Sequence, residues 1–359
     1  MAQIPNTVIP AKAGIQNKTL GPRLRGDDEL LSLGYAIFHK LAPCLVLLSA
    51  LTCSGFNFAA SDFPDKPVRL IVPFAPGAAQ DLTGRLVAQK LSEAWGRQVI
   101  VDNRAGAGST IGAEIATRAA PDGYTLLLAN EALAINATLQ PKSAIDARKD
   151  FSPVSLVVIN PRLFVGHPAM AGDSIKDVIA LARAKPGEVR YGSSGVGTGP
   201  HLAGALLAVM AKVDMTHIPY KGAAPALTDV IAGQIQVVAA VIMSALPHVQ
   251  GGRLKALAVT SSKRSSALPN VPTVAESALP GYEATAWSML VAPAHTPRRV
   301  VARIQADTAR FLAAADVRER LAREGAEPAG STPDEAAAYL NTEIGRWAGV
   351  VKQAGIRAE

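Results

Sequence analysis

Short apolar runs alternate along this chain with segments whose apolar residues recur at helical spacing, and turn residues separate the two kinds. Val68-Arg-Leu-Ile-Val72 is a β-branched run that stops at Pro73, which predicts a strand. Beyond a Pro/Gly turn, Leu82, Leu86, Leu91 and Trp95 share one side of the segment 81–95, which predicts a helix. A strand over 99–102, a helix over 111–120 and a strand over 124–129 follow. Strands apolar on both faces that alternate with helices imply a largely parallel sheet covered on both sides, so the fold class is α/β.

The pattern recurs further on. Residues 154–159 and 163–165 predict strands flanking Pro161. Ser174, with Asp177 three residues later, predicts the N-cap of a helix over 174–184. A strand over 189–191, a glycine loop and a helix over 201–212 make another strand, loop, helix unit, and 215–219 with 224–232 make the next. Strands over 235–242, 256–260 and 287–292 complete the series. Two helices close the chain, one opened by Thr296-Pro297 and one by Thr332-Pro333-Asp334-Glu335, a capping box with Pro at the first helical position. The middle section therefore reads as a second α/β unit inserted into the first. Crossings near 160–162 and 285–287 give one lobe of 61–161 plus 287–359 and another of 162–286.

At 359 residues and 49% hydrophobic content, the chain is long enough for two lobes with separate cores. Its beginning does not fit a folded core. His39-Lys40 precede an uncharged run from Leu41 to Ala60 that ends in small residues, the pattern of a secretory signal peptide over 39–60. Phe58 is a bulky residue near the cleavage point, and a retained membrane anchor is the alternative reading. Residues 1–38 are too long and polar for an ordinary leader and read as an extension foreign to the folded protein. Both cysteines, Cys44 and Cys53, fall in the leader, which removes thiol chemistry and cysteine metal sites from the exported part. Residues 1–60 hold five Lys/Arg and three Asp/Glu, so 61–359 carry 31 and 26, a net charge of +5. That balance favours anionic ligands slightly. The positive residues are dispersed without interleaved aromatics, which argues against nucleic acid.

Two loops stand out. Pro73-Phe-Ala-Pro-Gly-Ala-Ala-Gln-Asp81 joins a strand to a helix, where open parallel sheets bind ligands at strand carboxyl ends and helix N–H groups. Gly77 lets backbone approach a ligand closely, and Asp81 either accepts hydrogen bonds from ligand or water or caps its helix. Tyr191-Gly-Ser-Ser-Gly-Val-Gly-Thr-Gly-Pro-His201 offers Ser193, Ser194, Thr198 and successive backbone N–H groups to a carboxylate. One loop falls in each proposed lobe, which suggests a cleft with donors on both sides. Other motifs fail: Ile111 stands where a dinucleotide loop needs its third glycine, Val196 breaks a nucleophile elbow, and the six histidines lack metal spacing. No cofactor or metal is implied, and His201 is the histidine expected nearest a ligand.

The segments 67–77 with Asp81, 101–108, 120–128, 191–198 with His201, and 219–222 resemble, in the same order, the Bug family, the TctC-like extracytoplasmic receptors of tripartite tricarboxylate transport systems. The resemblance implies a type II periplasmic-binding-protein fold, two α/β lobes joined by a hinge with the ligand clamped between them. It implies ligand contacts at Phe74, Gly77, Ala78 and Asp81 from one lobe and Ser193, Ser194, Thr198 and His201 from the other, with Asn130 and Tyr220 completing the walls. It also implies a periplasmic, monomeric receptor that passes a small carboxylate to membrane permease components. The chain departs from the family at several places, among them Asn130-Glu131-Ala132 where a Ser/Thr-rich stretch is usual and residues 140–148 where a Leu-Pro-Tyr-Asp-like segment is usual. Ala78 replaces a second glycine at the carboxylate seat, and Gln236 stands where an acid is common. Glu131, if it points into the cleft, opposes a second ligand carboxylate or favours a ligand amine. A binding protein without catalysis is thus expected. The alternatives are a ligand-sensing subunit for a membrane signalling protein and a hydrolase using Ser194 with His201.

Overall fold

Four of the five residues in Val68–Val72 (β1) are fully buried, which requires cover on both faces of whatever sheet they join. The computed structural model describes residues 63–141, 143 and 145–357. The leader and the preceding extension lie outside the described residues. After β1 come Ala79–Trp95 (α1), Val99–Asn103 (β2), a single 3-10 turn at Ala107–Ser109, Thr110–Thr117 (α2), Thr125–Asn130 (β3), Glu131–Leu139 (α3) and Phe151–Asn160 (β4). The middle of the chain supplies Arg162–Gly166 (β5), Ile175–Ala184 (α4), Arg190–Ser193 (β6), Gly199–Ala211 (α5), Thr216–Pro219 (β7), Ala223–Ile231 (α6), Val237–Val241 (β8), Ile242–Gln250 (α7), Lys255–Val259 (β9) and Val274–Ser277 (α8). Ala286–Pro293 (β10), Arg298–Ala313 (α9), Ala315–Arg323 (α10), Glu327–Pro328 (β11) and Pro333–Gln353 (α11) follow.

The strands form two sheets, ordered β11-β4-β10-β3-β1-β2 and β7-β6-β8-β5-β9. The first draws on both ends of the described chain and the second on its middle, which makes two α/β lobes. Neither sheet is as parallel as the alternation of strands and helices suggests. β1 pairs in parallel with β2 and β3, and β6 with β7 and β8, but β10 and β5 run antiparallel to both of their neighbours. The cause lies in the crossings. Pro161 alone separates β4 from β5, and β10 begins beside the end of β4, with Ala286 opposite Asn160. A strand entering at the crossing end must oppose strands that finish there. The carboxyl ends of β1, β3, β6 and β8 therefore face the crossings, where α/β sheets keep their ligand sites.

The predicted helix cap at Ser174 forms, with the Ser174 side chain and Asp177 each bonding the other's backbone N–H, and Thr332 with Glu335 repeats it on α11. Elsewhere the apolar pattern misleads. The run 235–242 reads as one strand, yet the strand stops at Val241 and Ile242 opens α7, which carries Pro247 inside it. A short apolar run fits a buried strand and a buried helix equally well. One buried cluster passes from Leu127 and Phe151 through Phe164 and Leu202 to Trp347, so it takes residues from both lobes. Trp287 and Trp347 both donate through Nε1 to Glu343 Oε2, at 2.9 and 3.0 Å.

Candidate ligand-binding cleft

The first loop is tied down by Asp81. Its side chain, 1% exposed in the first turn of α1, turns back along the loop instead of into the cleft. Oδ2 accepts from the Gly77 N–H at 2.8 Å and from Arg85 Nε at 2.9 Å, and Oδ1 accepts from Asn103 Nδ2 at 2.9 Å. Burial pushes this carboxyl up, but the hydrogen bonds from Arg85, Gly77 and Asn103 outweigh it and hold the group below the usual aspartate range. Gly77 has φ +83°, a left-handed conformation that glycine adopts without strain.

The second loop folds on itself in a similar way. Ser193 Oγ bonds the Gly195 backbone and lies 2.6 Å from His217 Nε2, and Thr198 Oγ1 donates to the Gly195 carbonyl at 2.7 Å. The Gly197 N–H donates to His201 Nδ1 at 3.0 Å. The His201 and His217 rings stack at 3.7 Å under Tyr191, and burial lowers both histidines to about 4, with His217 adding a repulsive contribution at His201. Both are therefore neutral at pH 7. The serine that meets a histidine is Ser193 with His217, not Ser194 with His201, and Ser193 is itself fully buried. Tyr220 donates its hydroxyl to Asp229 Oδ2 at 2.7 Å, and burial, with the Asp229 charge beside it, pushes it up to about 12.

Between the sheets lie two adjoining cavities of about 460 and 180 Å³ that share Phe74, Asn130, Glu131, Ser194 and Pro200. Ala78 lines the smaller cavity and Thr198 the larger. Gly77, Asp81, Ser193, His201 and Tyr220 line neither; their polar atoms bond within the loops and to adjacent helices and strands. Gln236 is also away from the cavities, where Oε1 accepts from the Arg190 N–H at 2.8 Å.

Helix ends supply the polarity. α1, α3, α5 and α6 begin at the cavity walls, with Ala79, Glu131, Gly199 and Ala223 among the lining residues, and none has a side-chain cap. The three capping boxes belong to α4, α8 and α11, whose first residues do not line these cavities, while α2, α7, α9 and α10 also start without a side-chain cap, so what marks the cleft is that four such starts meet there. An uncapped helix start presents unpaired N–H groups and a partial positive charge, which suits an anion. Residues 83–356 match the tripartite tricarboxylate transporter family receptor. The chain belongs to this receptor family.

BugT of Bordetella pertussis is 36% identical over 301 residues, 83% of this receptor and 92% of BugT. An R. palustris protein solved with adipate is 34% identical with a TM-score of 0.74, covering 82% of this receptor and 99% of that protein. MatC from Rhodopseudomonas palustris with bound malate is 32% identical with a TM-score of 0.70, covering 80% and 100%. The family consists of periplasmic solute-binding receptors, and the two-lobed fold is that of periplasmic binding proteins.

The receptor's cleft holds one group that sequence reasoning passed over. Arg162, the first residue of β5, is 1% exposed and donates through Nη1 to the Ala284 carbonyl at 3.1 Å and through Nη2 to Glu131 Oε1 at 2.5 Å. A lone charge in the apolar stretch 154–165 was the available signal, since a buried arginine demands a partner. Gln80 was missed too: it lines the smaller cavity, donates to the Leu128 and Ala129 carbonyls and accepts from Ser288.

Proposed function

We propose that this receptor captures a small carboxylate-bearing solute between its two lobes and delivers it to the permease components of a tripartite tricarboxylate transporter. The observation that carries the reading is the convergence of four uncapped helix starts on a cleft whose charged lining residues, Glu131 and Arg162, neutralise each other. Attraction for an anion then comes from backbone N–H groups. The adipate and malate held by the two Rhodopseudomonas relatives support a carboxylate ligand.

Direct contacts fall to Phe74, Ala78, Asn130, Ser194 and Thr198. Gly77, Asp81, Ser193, His201 and Tyr220 act by holding the loops that present them. The lobes divide at 161/162 and 286/287, within a residue of where the chain passes between sheets, at Pro161 and at Ala286, the first residue of β10. The receptor works as an exported monomer in the periplasm, released from a signal peptide over 39–60, and carries no catalysis of its own. The hydrolase reading has little support from the Ser193-Ser194 pair: Ser193 is fully buried and lines neither cavity, and among the described residues it is Ser193, not Ser194, whose hydroxyl meets a histidine.

Titration of the purified protein with aliphatic and aromatic carboxylates tests the reading. Saturable binding with a rise in melting temperature is expected, corresponding to about 2.7 kcal/mol at a ligand concentration of 100 Kd. Absence of any response at millimolar carboxylate overturns it.

A further inference from the structure

We propose that Glu131 is a carboxylate resident in the cleft, seated by Arg162 and the first residue of α5, and that it restricts the receptor to ligands with one carboxylate and an uncharged remainder. The proposal rests on the carboxylate capture argued above and specifies which carboxylates are taken. Glu131 opens α3 in the lobe of the first sheet, and Arg162 opens β5 in the second, so the pair joins the lobes. Among the described residues lining the two cavities they are the only charged ones.

Arg162 is withdrawn from water. Its Nε is buried without a hydrogen-bond partner, so compensation of its charge falls on Glu131. The place where they meet is built for them. A Cβ on Gly199 would come within 2.1 Å of Arg162 Nη2 and 2.7 Å of Glu131 Oε1, so only glycine leaves room. Gly199 is the first residue of α5, whose N-cap Thr198 makes no side-chain cap, and the Glu131 carboxylate therefore sits where the helix dipole favours an anion.

A ligand carboxylate seeking this seat competes with one already tethered there, whose binding is intramolecular. A dicarboxylate can use the uncapped starts of the other helices for one end. Its second end meets Glu131 with no unpaired side-chain cation to receive it. A ligand ammonium fares no better, because engaging Glu131 would strip the partner from a buried guanidinium.

Calorimetric titration of the full chain with length-matched pairs (butyrate and succinate, hexanoate and adipate, benzoate and terephthalate) tests this in wild type, E131Q and R162Q, each checked for folding by circular dichroism. Wild type is expected to bind the monocarboxylate of a pair more tightly. E131Q, which exposes an uncompensated cation, is expected to shift the ratio at least tenfold toward the dicarboxylate, and R162Q to shift it further the other way. R162Q carries the test if E131Q does not fold. Ratios within threefold of wild type in the folded variants overturn the proposal while leaving carboxylate capture standing, as does a wild type that prefers dicarboxylates. If no probe binds any of the three proteins, carboxylate capture itself falls and this proposal with it.

Discussion

The imidazoles of His201 on α5 and His217 on β7 lie face to face, 3.7 Å apart and within 4° of parallel. Two charged rings could not share that space, and burial already holds both near 4, below the ordinary 6.5.

This pair makes stability depend on pH. Between pH 6.5 and 4 the unfolded chain binds protons at these positions and the folded protein does not, so stability is full above pH 6.5 and falls as pH drops through that window. Each histidine contributes up to about 1.4 kcal/mol per pH unit. Urea midpoints measured from pH 7 to 4 should show the slope, and a His201→Asn, His217→Asn double variant should flatten it. An unchanged slope in that variant would place the dependence elsewhere.

Asp81 sets a second expectation. Replacing it with Asn puts an amide donor against the Gly77 N–H, Arg85 and Asn103, all of which are donors to the carboxylate. Hydrogen bonds to a charged group contribute about 1.5–3 kcal/mol each, so D81N should lose about 2 kcal/mol or more by chemical denaturation. Ligand binding should weaken with it, because the loop that Gly77 turns is no longer fixed. Wild-type stability in D81N would mean that the loop is held by something else.

Glu343 is 1% exposed, accepts from both Trp287 and Trp347, and pairs with Arg346 at 2.7 Å. Truncation to Ala leaves two indole N–H groups without their acceptor, while Arg346 keeps its 3.1 Å ion pair with Glu283. A loss of about 2–4 kcal/mol is expected from the two hydrogen bonds to a charged acceptor, together with a change in the near-ultraviolet dichroism of the two tryptophans. A drop below 1 kcal/mol would show that water replaces the carboxylate.

Much of the fold was legible because its signals are local. Val68–Val72 ends where Pro73 forces it to, and the Ser174 and Thr332 boxes each lie within four residues of chain. α3 was not foreseen, since Glu131–Leu139 has almost no amphipathic contrast and begins without a cap. At the cleft, the sequence pointed to the two loops but could not separate residues that face the cavity from residues that brace them. Asp81 and Ser193 look like ligand donors until their partners are seen, and those partners, Asn103 and His217, come from neighbouring strands. Glu131 and Arg162 are 31 residues apart, and no local pattern links them.

The four helices that start at the cleft lack the side-chain hydrogen bond that caps α4, α8 and α11, although Asn130 and Thr198 stand at the N-caps of α3 and α5. On the proposed reading, an anion arriving at the starts of α1, α3 or α6 does the work of a serine or threonine N-cap. A solute bound so would be the missing final piece of the polypeptide's own secondary structure, and the empty receptor a fold left one group short of complete.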